Sequence, residues 1–274
     1  MPDVEPISPA LGAVVAGVDL SGTLTDDDVL RIRACLDRYL VVFFRGQRLT
    51  AVQQRDVAAR FGALYTHPFY PGDPSAPEIM VLESGAARRA TQNNWHSDVT
   101  YIERPPHLSL LYGDIIPPSG GDTLWASMYA AYDALSPALR RALDGLHGVH
   151  DFAKDFPPER FAASGVAGAP EALYAAHPPV SHPVFLAHPV TGRGALYVNS
   201  SFTSRIAEMT QRESSAVLGL LFDHIEQPEF QIRWRWSTGD VALWDNRSTQ
   251  HYAVSDYYPA RRRTRRATIL GERS

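Results

Sequence analysis

The sequence predicts a mainly β protein carrying helical insertions, an α+β chain whose core is a sandwich or barrel. Short apolar runs bounded by turn residues outnumber the helical patterns. Strands and helices do not alternate as a parallel βαβ sheet requires. The 19 glycines and 21 prolines are spread as punctuation between those runs and gather into no linker, so residues 1–274 read as one domain.

In chain order, Asp26–Tyr39 is the first helix, with Val29, Ile32, Cys35, Leu36 and Tyr39 at helical spacing behind Thr25 or Asp26 as a cap. Leu40–Phe44 follows as a buried strand. Thr50 caps a second helix that runs to Phe61 and stops at Gly62, Ser136-Pro137 opens a third with proline at its first position, and Arg212–Gln227 is a fourth. Strands are predicted at Ile79–Glu83, Leu108–Gly113, Thr123–Ala126, Ala195–Asn199, Phe230–Trp236, Val241–Trp244 and Ala267–Leu270. The stretch from Phe156 to Pro183 reads as a long, loop-rich segment of lid length.

Composition narrows the function classes. Hydrophobic residues at 45% and charged residues at 20% suit a packed core and exclude a disordered chain. With 26 basic and 30 acidic side chains, the net charge of −4 gives no overall positive field for nucleic acid or anionic lipid. Cys35 is the single cysteine, which excludes an intramolecular disulfide and any multi-cysteine metal site. Neither a signal-like N-terminus nor a spanning apolar run is present. A cytoplasmic chain with no nucleic-acid or membrane partner is therefore expected, and a homo-oligomer, dimer or tetramer, is the common outcome for such proteins.

The most informative run is Asn94-Trp95-His96-Ser97-Asp98-Val99-Thr100. In an extended chain, side chains two apart share a face, so His96 and Asp98 point together. An imidazole and a carboxylate are two of the three groups in a 2-His-1-carboxylate face around non-haem Fe(II), which needs one further histidine. Alone, a His-x-Asp tripeptide arises by chance, and its bland reading is a hydrogen-bonded pair at a surface turn. The distant segment Gly239–His251 adds weight: a buried strand leads into a polar turn and then His251. Beyond it, Arg261, Arg262, Arg263, Arg265 and Arg266 put five arginines in six residues of an acidic protein. A solvated basic turn is the plain reading, and a nucleic-acid patch is weakened by the lack of interleaved aromatics. In an extended segment, Arg262, Thr264 and Arg266 face one side and Arg261, Arg263 and Arg265 the other, so two guanidinium forks enter a pocket while the others reach solvent. Planar forks match carboxylate and sulfonate-like oxyanions.

Together these stretches resemble the Fe(II)- and 2-oxoglutarate-dependent dioxygenases, in particular their taurine dioxygenase branch, from about Leu11 to Glu272. The resemblance is carried by WHSDVTYIERPP (Trp95–Pro106), GGDTLWAS (Gly120–Ser127), HDF (His150–Phe152), FTSRI (Phe202–Ile206), PEFQIRWRW (Pro228–Trp236) and WDNRSTQHYAVSDYYP followed by RRATILG. It implies a double-stranded β-helix, or jelly roll, enclosing the metal. It also implies Fe(II), 2-oxoglutarate as cosubstrate and O2, with His96, Asp98 and His251 as iron ligands and catalytic centre. Thr123 and Arg262 match positions that hold the distal carboxylate of 2-oxoglutarate. Arg266 matches the residue that binds a sulfonate, assisted by His67 and the backbone N–H of Val99. Tyr70 matches a further substrate contact, and Phe156 and Phe202 match apolar walls.

The reaction implied is hydroxylation of the carbon next to the sulfonate of taurine, giving sulfite, aminoacetaldehyde, succinate and CO2. One position departs from the family: four residues before the first ligand, an asparagine that helps bind the substrate amine is here Gln92, a methylene longer. A change of that size is worth roughly 1–3 kcal/mol in a tight pocket. Another alkylsulfonate or an alkyl sulfate ester is the alternative substrate, and an anion-binding metal jelly roll the alternative outside catalysis. A zinc hydrolase with the same three ligands leaves Arg262 without a role. His107, His147, His150, His177, His182, His188 and His224 read as structural or surface residues. Trp234, Trp236 and Trp244 read as core, and Asp245 and Asn246 as residues that shape the turn or orient His251.

Overall fold

The computed structural model describes residues 3–68, 70–87, 90, 93–159, 161 and 170–271. In the larger sheet, Val41–Phe44, Val241–Asp245, Pro106–Ile115, Arg262–Leu270 and Ala76–Ser84 are successive neighbours. A smaller sheet has the order Gln231–Trp234, Thr123–Ser127, Thr249–Ala253. Side-chain alternation joins the two. Phe43, Leu111, Ala242 and Trp244 of the larger sheet share a core with Trp125, Ile232 and Trp234 of the smaller one. Phe43 stacks on Trp234 with ring centroids 3.8 Å apart and meets Trp125 edge-on at 5.3 Å.

The intervening residues Val42, Phe44, Leu110, Tyr112, Val241 and Leu243 point the other way. They pack with Val29, Ile32 and Leu36 of the helix Asp26–Tyr39 and Val57 and Ala58 of the helix Ala51–Ala59. Because both faces of the larger sheet are covered, Val41–Phe44 and residues 241–244 are apolar throughout instead of alternating with polar residues. Two facing sheets dressed with helices on one outer face are the predicted jelly roll.

The helices start where the sequence places them because capping satisfies their first N–H groups. Thr25 accepts from the Asp28 N–H while the Asp28 carboxylate accepts from the Thr25 N–H. Thr50 with Gln53 and Thr210 with Glu213 repeat the device at Ala51–Ala59 and Gln211–Ile225. Each such cap contributes about 1 kcal/mol. Ser136 caps Pro137–Leu143, with proline in the first turn. Among the described residues, no helix is long and apolar enough to cross a membrane.

Three local expectations change. The last strand spans Arg262–Leu270, well before Ala267, because Ala76–Ser84 and Pro106–Ile115 hydrogen-bond to its two edges along that length. Within Phe156–Pro183 there is a helix, Pro170–Ala176, and a strand, Val180–Pro183, paired with His147–His150; residues 162–169 lie outside the described residues. Arg265 does not reach solvent. It is buried, with its guanidinium 4.6 Å from the Tyr112 ring centroid and donating to the Leu49 carbonyl, since the second core covers that face of the strand.

The turn after Val241–Asp245 is locked by a buried charge. Asp245 accepts from Arg247 Nε at 2.9 Å and from His188 Nε2 at 3.1 Å. Burial alone would raise the Asp245 pKa, but the Arg247 fork and the His188 hydrogen bond hold it well below the usual carboxylate range. A depressed folded-state pKa adds stability above the unfolded value of about 3.9, and that stability is lost as pH falls through the folded value. Arg247→Met removes the guanidinium from this buried carboxylate, leaving it the His188 and backbone hydrogen bonds, and is expected to destabilise by about 3 kcal/mol at pH 7. Toward pH 4 the gap narrows, because the stranded carboxyl of the variant takes up a proton. Urea unfolding at the two pH values checks this, and a gap that does not change with pH contradicts it.

Candidate active site

His96 and His251 face each other across an isolated antiparallel bridge. The His96 N–H donates to the His251 carbonyl at 3.1 Å and the His251 N–H to the His96 carbonyl at 2.8 Å. Residues opposed in this way share a face of the ladder, and the two imidazole centroids lie 4.1 Å apart. His251 belongs to the strand Thr249–Ala253, whereas His96 leads straight into a turn instead of ending a strand. That turn brings the Asp98 carboxylate back, with Oδ1 3.9 Å from Nε2 of each histidine. The three donor atoms all lie within 4.8 Å of one another. Donors on one face of an octahedral ion, each with a bond of about 2.1 Å, lie about 3 Å apart, so the three side chains fit a single metal ion after closing by about 1–2 Å.

The protonation states suit ligation. His96 Nδ1 lies 2.9 Å from the Asn94 carbonyl, which fixes the proton on Nδ1 and leaves the Nε2 lone pair free. His251 is packed against the Trp244 and Trp125 rings, and burial pushes its pKa well below the usual imidazole value, so it is neutral. Burial works against an ionised Asp98, but the Arg266 guanidinium and the Ser109 hydroxyl act the other way and hold its pKa below the usual carboxylate value. Arg266 Nη1 touches Asp98 Oδ1 at 2.6 Å, and Ser109 Oγ donates to Oδ2 at 2.7 Å. Asn246 Nδ2 donates to Ser109 Oγ at 3.0 Å, while Asn246 Oδ1 accepts from the Trp244 indole N–H at 2.9 Å. One carboxylate oxygen is thus held from behind and the other faces the histidines.

Two pockets meet at this centre, and His96 and Arg266 line both. The first, about 460 Å³ counting the part open to solvent, is lined by Leu82, Leu111, Trp125 and Trp244, with Thr123, Arg262 and Thr264 as polar groups. The alternation predicted for the arginine run holds here: Arg262, Thr264 and Arg266 face inward, while Arg261 and Arg263 pair with Glu83 and Asp114. Gly121 shapes the floor, with φ +72°; a Cβ there would stand 2.9 Å from Arg262 Cδ. The second pocket is lined by His67, Tyr70, Asp98, Val99, Tyr101, Phe156 and Phe202 besides the two shared residues. Of the candidate site residues, Gln92 alone lies outside the described residues.

Ser109, Trp125 and Tyr101 had no predicted site role. Ser109 carried a signal, a lone hydroxyl within the apolar run Leu108–Leu111, whereas Trp125 and Tyr101 had none that distinguished them from core.

A jelly roll that presents two imidazoles and one carboxylate on a single face, beside buried guanidiniums, defines the class of mononuclear non-haem Fe(II) oxygenases. Residues 3–268 match the family described as taurine catabolism dioxygenase TauD, TfdA family. The chain is 38% identical over 279 residues to an alpha-ketoglutarate-dependent sulfate ester dioxygenase of Pseudomonas putida, covering 98% of this chain and 90% of the relative. It is similar to the crystal structure of a taurine dioxygenase from Burkholderia xenovorans, with a TM-score of 0.83, 38% identity and coverage of 99% and 90% of the two chains. It is also similar to AAD-2 in complex with Mn(II) and N-oxalylglycine, with a TM-score of 0.83, 28% identity and coverage of 100% and 98%. The chain belongs to the TauD/TfdA family of Fe(II)- and 2-oxoglutarate-dependent dioxygenases.

Proposed function

We propose that the chain oxidises an alkyl sulfate ester, hydroxylating the carbon that bears the ester oxygen so that the product collapses to an aldehyde and hydrogen sulfate. The composition of the second pocket carries this reading. Val99, Tyr70, Tyr101, Phe156 and Phe202 surround one guanidinium, that of Arg266, and the only lining carboxylate among the described residues is Asp98 of the metal centre. An anionic head with an apolar tail matches such a lining, whereas an ammonium group would lack a carboxylate of its own. The sulfate ester dioxygenase of Pseudomonas putida supports the same reading.

In this reading His96, Asp98 and His251 hold Fe(II) and leave its remaining positions to exogenous ligands. Thr123 and Arg262 take the distal carboxylate of 2-oxoglutarate. The Trp236 indole N–H donates to Thr123 Oγ1 at 2.9 Å, so the threonine hydroxyl keeps its own proton for an anion. Among the described residues, Arg262 Nε is buried without a hydrogen-bond partner. Arg266 takes the sulfate oxygens together with His67 and the Val99 N–H. Burial and the Arg266 charge push the His67 pKa down to about 3, so it offers a neutral polar group. Tyr70, Phe156 and Phe202 wall the apolar chain and exclude water. When bound, Fe(II), 2-oxoglutarate and O2 supply the oxidising power, and 2-oxoglutarate leaves as succinate and CO2. The protein's part is to hold one C–H of the substrate toward the His–Asp–His face.

Taurine is the second reading, favoured by the match of Arg266, His67, Tyr70 and Val99 to the family's sulfonate site and by the taurine dioxygenase neighbour; its products are sulfite and aminoacetaldehyde. A panel of hexyl sulfate, hexanesulfonate and taurine, scored for succinate, sulfate and sulfite, separates the two. Sulfate release from hexyl sulfate is expected to exceed sulfite release from taurine by about tenfold or more in kcat/KM. The reverse order selects taurine, and succinate formation that responds to none of the three overturns both readings.

A further inference from the structure

We propose that a buried ring of four side chains, Thr100, His150, Thr203 and Asn199, positions the substrate pocket from outside it by fixing Val99 and Phe202 against the bound substrate. This rests on the substrate reading of the second pocket given above. None of the four lines either pocket, and all are buried, at 1%, 0%, 0% and 2% exposure. The ring is closed by hydrogen bonds. Asn199 Nδ2 donates to Thr100 Oγ1 at 3.0 Å, and Thr100 Oγ1 lies 2.9 Å from His150 Nδ1. His150 Nε2 lies 3.3 Å from Thr203 Oγ1, which accepts from the Asn199 N–H at 2.9 Å.

An amide nitrogen can only donate, so Thr100 Oγ1 accepts from Asn199. Burial pushes the His150 pKa down to about 3, so its imidazole is neutral, with one ring nitrogen donating and the other accepting between the two threonine hydroxyls. The Asn199 amide is oriented in turn because its Oδ1 accepts the Phe202 N–H at 2.9 Å. A second histidine, His182, clamps the same segment: its Nε2 lies 2.9 Å from the Thr100 carbonyl and 3.1 Å from that of Ile102.

The two walls of the pocket need such support. Val99 holds φ at +54°, a left-handed conformation that disfavours a β-branched side chain and persists where its surroundings over-determine it. On one side Asp98 is tied to Ser109, and on the other Thr100 is tied to Asn199, His150 and His182. Phe202, opposite, hangs from the same Asn199 amide. One buried network therefore sets the distance between the residue whose N–H is assigned to the anion and an apolar wall. These are positioning residues, and their loss should be felt in substrate affinity while metal and 2-oxoglutarate binding stay intact.

The test compares Thr100→Val, which keeps the shape and removes the hydroxyl, with Thr100→Ser, which restores it, in the Mn(II)- and 2-oxoglutarate-loaded protein and in the Fe(II) enzyme. Hydrogen exchange at residues 99–102 and 202 should rise in Thr100→Val, with no change in the strand Val241–Asp245. KM for whichever of hexyl sulfate and taurine the wild type turns over should rise about tenfold or more, while the calorimetric Kd values for Mn(II) and 2-oxoglutarate stay within about twofold. Thr100→Ser should recover both. If Thr100→Val does not fold, His182→Leu against His182→Gln reads the same clamp, with the glutamine amide standing in for the Nε2–H donor. Unchanged exchange at these residues, or an unchanged KM in an active enzyme, overturns the proposal. A wild type inert toward both substrates refutes the substrate reading instead, and hydrogen exchange then decides the network alone.

Discussion

In His251→Ala, 2-oxoglutarate-dependent succinate formation is expected to fall by about 1,000-fold or more, with Mn(II) affinity lost in parallel. His251 supplies one of three donor atoms, and among the described residues His96, Asp98 and His251 are the one such cluster that could hold a metal ion. Groups that merely orient a metal ligand are worth about 10- to 100-fold in affinity or activity, so removing a ligand outright costs more. The same truncation opens space between the Trp125 and Trp244 rings, at a stability cost on the order of 2–4 kcal/mol. Far-UV circular dichroism and the melting temperature are therefore measured beside calorimetric titration with Mn(II). A folded variant that binds Mn(II) as the wild type does would falsify the assignment of His251 as a ligand.

The metal centre was legible through the family motifs WHSDVTYIERPP and WDNRSTQHYAVSDYYP, which name His96, Asp98 and His251; the period-two argument for His96 and Asp98 did not hold, because a turn brings Asp98 back. The arginine register was legible from spacing, since period two decides which guanidiniums share a side. Alternation could not say what covers the other side. Arg265 was expected in solvent, and it is buried because the helix Ala51–Ala59 packs there, with the buried Gln54 amide donating to the Arg265 carbonyl at 2.8 Å. Pairing across long sequence separations was equally hidden. Val180–Pro183 reads as loop because two of its neighbours are prolines and it is short, yet it completes a sheet with His147–His150 and delivers His182 to Thr100. The backbone turn at Val99 was invisible as well, because valine gives no warning of a positive φ.

Arg262→Leu is expected to raise KM for 2-oxoglutarate by about 30-fold to 4,000-fold while leaving Mn(II) affinity unchanged. Removing one partner of a buried charge pair costs about 2–5 kcal/mol, at roughly tenfold per 1.4 kcal/mol. Three features make the pair a strong one once the cosubstrate is present. Arg262 Nε is buried and has no hydrogen-bond partner among the described residues, Gly121 leaves room beside its stem that a Cβ would take, and the Trp236–Thr123 hydrogen bond aims a hydroxyl into the same cavity. Burial also lowers the Arg262 pKa, as expected of a cation held away from water until an anion arrives. General damage to the pocket is separated from loss of this one ion pair by the choice of cosubstrate. A 2-oxoacid without a distal carboxylate, such as 2-oxopentanoate, has no charge for Arg262 to meet, so the substitution should leave its KM within a few-fold of the wild-type value. The preference for 2-oxoglutarate over 2-oxopentanoate should then shrink by about the factor lost in KM. Equal losses for the two acids would mean that Arg262 shapes the cavity and does not recognise the carboxylate, and the partition of the two pockets between cosubstrate and substrate would have to be reversed.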